Sequence, residues 1–164
     1  MKLLIRFLAI SIILLGLFSC DGDGYSSDPT PTPTLIYFKA TLTGPVAGRI
    51  GNTSAINEAL LTYNDDTNTF KIIVEHNVAG ATAAHIHTTD PVILPATNNI
   101  VIPFPSAVSP INYSGTLDTN QEIALKAEKY YVNIHNQAYP GPLSAALSGV
   151  LRKQTSGGGG YPSY

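Results

Sequence analysis

From Leu35 onward the chain is cut into apolar segments of strand length, each closed by residues that turn a backbone, and no stretch keeps a long helical period. Thr69 to Asn77 is the clearest case. Phe70, Ile72, Val74 and His76 share one side of an extended backbone, and Lys71, Ile73 and Glu75 share the other. Successive side chains of a strand point to opposite faces, so a period of two makes a ribbon with two distinct faces. Several such ribbons separated by turn signals predict an all-β domain, a sandwich or a barrel.

The other segments follow the same logic. Leu35 to Thr43 is a first strand and Asn57 to Tyr63 a second, closed by Asn64-Asp65-Asp66-Thr67-Asn68, whose Asn and Asp residues tolerate hairpin geometry. Ala79-Gly80 turns the chain into Ala83 to Thr88. Asp90 to Pro110 is proline-rich, and Ile100 to Ile102 within it reads as an edge strand, because flanking prolines exclude a central position. Ile111 to Leu117, Lys129 to His135 and Ala145 to Lys153 are the remaining strands. One short helix is expected, opened by a capping box at Thr119-Asn120-Gln121-Glu122 and running to about Ala127. The domain thus spans 35–153. Residues 154–164, with a run of four glycines, are expected to be a disordered tail.

The N-terminus reads as a precursor. Lys2 and Arg6 precede the apolar run Phe7 to Leu17, and Leu17-Phe18-Ser19-Cys20 resembles the lipobox of bacterial lipoproteins. Residues 1–19 are then a signal peptide shorter than a spanning helix needs, and Cys20 is the site of lipidation, which anchors the protein to the membrane. Residues 20–34 form a linker with the repeat Pro29-Thr30-Pro31-Thr32-Pro33-Thr34, an extended spacer. The expected location is the bacterial cell envelope, at the outer membrane or cell surface or facing the periplasm. Removing the leader takes two of the nine basic residues and none of the eleven acidic ones, leaving a net charge of −4. No basic patch remains for nucleic acid.

Three of the four histidines fall in two strand segments, Ala84-His85-Ile86-His87 and Tyr131-Val132-Asn133-Ile134-His135. Alternation places His85 and His87 side by side, and sends Tyr131, Asn133 and His135 to one face of the other strand. Where the two strands meet, three imidazoles converge, a donor set suited to copper or zinc. His76, nine residues before His85 across an expected hairpin, is a candidate fourth ligand or supporting group. The structural alternative has these histidines hydrogen-bonded to backbone or to Asn133, as buried imidazoles require. No Gly-X-Ser-X-Gly nucleophile motif accompanies the serines, and the carboxylates are too sparse for a glycosidase pair.

Residues 35–153 resemble the CHRD domain, the module named after chordin. The likeness rests on Leu60-Leu61-Thr62-Tyr63, Glu75-His76-Asn77-Val78, Thr82-Ala83-Ala84-His85-Ile86-His87, Tyr130-Tyr131-Val132-Asn133-Ile134-His135, Tyr139-Pro140-Gly141 and Ser148-Gly149-Val150-Leu151. Near its end the family usually carries Gly-Glu-Ile-Arg-Gly, and here Gly141 to Gly149 lacks that Glu and Arg. The resemblance implies an immunoglobulin-like, Greek-key antiparallel β-sandwich, distantly similar to copper-zinc superoxide dismutases, in which His85-Ile86-His87 is similar to paired copper ligands. A dismutase would also need a zinc subsite, and Asp90 to Pro110 offers no His and Asp cluster for one. The expectation is therefore a lipid-anchored binding module, non-enzymatic, with a copper or zinc site at His85, His87, His135 and His76. The alternative is a module that holds a protein or glycan partner, with structural histidines; a dismutase-like enzyme is third.

Overall fold

The computed structural model describes residues 32–44, 57–91, 99–141 and 144–164. The signal peptide, Cys20 and most of the linker expected from the sequence lie outside the described residues. No helix among those described is long and apolar enough to cross a membrane.

The elements are β1 (Leu35–Thr41), β2 (Glu58–Asn64), β3 (Thr69–Glu75), β4 (Ala81–Thr88), β5 (Ile100–Pro103), β6 (Ile111–Thr116), α1 (Thr119–Lys126), β7 (Tyr130–Asn136), β8 (Leu147–Val150) and β9 (Arg152–Gln154). They form two antiparallel sheets, ordered β6-β3-β2-β1-β9 and β5-β4-β7-β8, so the fold is an all-β sandwich with one short helix. The alternating residues supply both inner faces. Phe38, Leu61, Tyr63, Phe70, Ile72 and Val74 line the first sheet, against Ile86, Tyr130, Val132, Ile134 and Leu147 on the second. All eleven are at most 1% exposed, and burial on this scale contributes about 25 cal/mol per Å² of apolar surface.

The structure departs from the sequence expectations in four places. β3 and β4 belong to different sheets, so no hairpin joins His76 to His85; the chain crosses the sandwich through the turn at Gly80, which takes a positive φ of 61°. Ala145 to Lys153 is not one strand. At fully buried Leu151, whose N–H donates to Tyr130 O, the chain leaves β8 in one sheet and enters β9 in the other. The capping box sits one residue earlier than Thr119, with Asp118 accepting from Gln121 N–H and the Gln121 side chain returning to Asp118 N–H.

The C-terminal segment, expected to be disordered, is instead laid across the outer face of the five-stranded sheet. Tyr161 meets the ring of Tyr37 edge-on, Thr62 Oγ1 donates to Pro162 O (2.8 Å), Lys71 Nζ to Ser163 O (2.7 Å), and Tyr164 OH to Thr69 O (2.6 Å). Tyr37, Thr62 and Lys71 form one cross-strand row, which is why a single extended segment reaches all three. Its tyrosines outweigh its glycines: the half-buried Tyr161 ring and these bonds offset the ordering entropy that composition alone emphasises.

Candidate metal centre

β4 and β7 are the two inner strands of the four-stranded sheet, paired so that His85 faces Asn133, His87 faces Tyr131 and Ala83 faces His135. Ala84, Ile86, Val132 and Ile134 turn inward to the core. The same alternation therefore sends His85, His87, Tyr131, Asn133 and His135 to the sheet's other face. That face is not open to solvent: His87 is 0%, His135 2% and Asn133 4% exposed, while His85 is half-buried.

The structure brings three of the four sequence-predicted histidines together. Ring centroids of His85 lie 5.5 Å from His87 and 5.2 Å from His135, and one ring nitrogen of each residue lies within 4.8 Å of the others. His76 stands apart, just beyond the end of β3. Its Nε2–H donates to Ala107 O (3.0 Å) and its Nδ1 accepts from Val78 N–H (3.2 Å), so both ring nitrogens are used locally. Burial depresses its pKa, against the opposing hydrogen bond to Ala107.

Neighbouring groups decide which nitrogens are free. Asn99 Nδ2 donates to Thr88 O (3.0 Å), which turns its Oδ1 toward His87 Nδ1 at 2.8 Å. An amide oxygen only accepts, so Nδ1 of His87 carries the proton and Nε2 is a bare lone pair. For His135, Nδ1 lies 2.9 Å from Ser144 O and 3.2 Å from Tyr139 O, both acceptors, and Nε2 is again bare. His87 Nε2, His135 Nε2 and His85 Nδ1 are buried and have no hydrogen-bond partner among the described residues. A buried polar atom left unpaired costs ~1–3 kcal/mol, so three at one point are expensive in a domain stable by about 5–15 kcal/mol.

Electrostatics favours the ligating form. Burial pushes the His85 pKa down to about 4, helped by the nearby His135 and His87, and burial also lowers His87 against the opposing bond from Asn99. Both rings are thus neutral at physiological pH, the state that binds a cation. Zinc or copper bonds of about 2.0–2.1 Å place tetrahedral nitrogens ~3.3 Å apart, so a separation within 4.8 Å closes with small side-chain rotations. Acceptors for the remote ring N–H, here Asn99 Oδ1 and the two carbonyls, are the usual way such ligands are aimed.

Sequence reasoning missed Asn99, Tyr139 and Ser144. Asn99 lies twelve residues from its histidine, and backbone carbonyls leave no trace in side-chain identity. Tyr131 was placed on the correct face by alternation, but not its ring, stacked on His87 at 5.1 Å and 15° with its OH bonded to Asn99 Nδ2. Among known proteins, the model of the CHRD domain family matches residues 38–150. No curated protein and no solved structure matches the chain.

Proposed function

The chain belongs to the CHRD domain family, and on that premise we propose that it is a metal-binding module of the cell envelope, tethered by a lipid on Cys20 and holding copper or zinc through His85, His87 and His135. The observation that carries this reading is the set of three buried imidazole nitrogens, one per histidine, without partners among the described residues, on three rings whose ligand atoms lie within 4.8 Å of one another. Neutral nitrogen donors rank copper first and zinc second. A soluble form beginning after Cys20 is expected to take up about one copper ion, and the variant with all three histidines replaced by alanine none. Saturating metal should also raise the melting temperature of the parent alone, by the linkage term RT ln(1 + [L]/Kd), about 2.7 kcal/mol at a hundredfold excess over Kd. Equal uptake by the two proteins would overturn the proposal.

One observation favours a second reading, a module that holds a protein partner. The outer face of the five-stranded sheet accommodates Tyr161-Pro162-Ser163-Tyr164 as it would a bound peptide. A chain ending at Gln154, titrated with a synthetic peptide of residues 157–164, should show amide shifts at Tyr37, Thr62 and Lys71. Absence of binding at millimolar peptide would remove this reading.

A further inference from the structure

Asn133 is the strand neighbour that the three histidines share. It faces His85 directly and lies between Tyr131, opposite His87, and His135, opposite Ala83. His87 and His135 are two cross-strand rows apart, yet their ring centroids are 6.1 Å from each other. Both rings therefore incline over the row between them, the row of His85 and Asn133. Asn133 is 4% exposed, and its Oδ1 is a buried acceptor with no hydrogen-bond partner among the described residues. The imidazole nitrogens that His87 and His135 turn to this centre are bare lone pairs, so neither ring donates to it.

A cation satisfies the imidazole lone pairs; an amide oxygen that stays outside the ion's own ligand set is satisfied instead by a water molecule on that cation, which has protons to give. Three protein nitrogens with a solvent-derived fourth ligand is the arrangement of an exchangeable centre, as opposed to a closed structural one. His85, half-buried where His87 and His135 are fully enclosed, marks the side from which solvent reaches it. Resting on the metal reading above, we infer that the fourth position of the ion faces Asn133, is filled from solvent, and selects small ligands that donate a hydrogen bond, such as water, over anions that do not. Asn133 is in this account a specificity-determining residue, and the ligand class is small, polar and protic.

The test uses the full chain loaded with one equivalent of copper(II) and titrated with azide, followed by the charge-transfer absorption of the adduct. Azide presents no hydrogen to Oδ1, and the amide oxygen opposes its charge. Asn133→Ala is expected to bind azide about tenfold more tightly than the parent, the worth of one hydrogen bond, and Asn133→Asp at least about tenfold more weakly, with copper stoichiometry unchanged in both. The near-isosteric aspartate also guards against a folding defect in the alanine variant, because its added charge weakens azide binding only if this side chain faces the fourth position. Identical azide affinities in the three proteins overturn the inference, as does loss of copper uptake by Asn133→Ala, which would make Asn133 a ligand itself. A copper-loaded parent that takes no azide overturns the open position alone, whereas a parent that takes no copper overturns the centre and this inference together.

Discussion

Replacing Asn99 by alanine removes the acceptor that holds the proton of His87 on Nδ1, without touching any atom that faces the ion. In the parent, Asn99 Oδ1 is 2.8 Å from His87 Nδ1, and the amide is locked by the Nδ2 bond to Thr88 O at 3.0 Å. Without it, His87 Nδ1–H is buried and unpaired, at a cost of ~1–3 kcal/mol. The metal-free ring escapes that cost by moving its proton to Nε2, the nitrogen the centre needs bare. Metal binding then has to reverse the shift, so the same energy reappears as lost affinity. This agrees with the 10–100-fold typical of removing such supporting partners, ~1.4–2.7 kcal/mol. Asn99→Asp supplies the control: it keeps an oxygen on Nδ1 and gives up the Nδ2 donations to Thr88 O and Tyr131 OH. A competition titration against a chromophoric chelator should show Asn99→Ala weakened 10–100-fold and Asn99→Asp within about tenfold of the parent. An unchanged affinity in a folded Asn99→Ala protein would refute the argument that the tautomer of His87 is held from behind.

Other outcomes follow from the packing. Thr62→Val deletes the bond to Pro162 O and should lower stability by ~1 kcal/mol in a denaturant titration, an effect that vanishes when the chain ends at Gln154. In the metal-free protein, His85 has a folded pKa near 4 against an unfolded 6.5, so the unfolded chain binds more protons between those values. Stability from this group is fully present above about pH 6.5 and lost as pH falls to about 4; melting temperatures across that window should decline less steeply for His85→Ala. Gly149→Ala would bring a Cβ to 2.4 Å from Thr41 O, a backbone atom that cannot swing aside, and the melting temperature should drop for a loss of ~1–3 kcal/mol.

The period-two pattern made most of the local structure legible. It identified most of the strands and the common face of His85 and His87, because alternation is a property of one strand by itself, while the flanking prolines gave the edge position of Ile100 to Ile102. The partners of each strand were not legible in the same way. Pairing depends on contacts between segments far apart in the chain, and nothing local in Val74 or His76 says that the next strand crosses to the other sheet. The C-terminal segment was misjudged because four consecutive glycines dominate its composition, while its docking is decided by Tyr161, Pro162 and Tyr164 against a row of side chains from three strands. At the centre, the residue types were readable and their orientation was not: Asn99 is an ordinary loop residue until the fold places it behind His87.

The neighbouring placement of β4 and β7 has a kinetic consequence. They are adjacent in the sheet, yet β5, β6 and α1 intervene along the chain. His135 therefore joins His85 and His87 only after a long loop has closed and both crossings of the sandwich between them are made, which is a late event in a chain of this topology. An ion held there cannot nucleate folding. Its effect falls on the opposite limb: it ties two distant strands in the native state, so loading the centre should slow unfolding while leaving the refolding rate nearly unchanged.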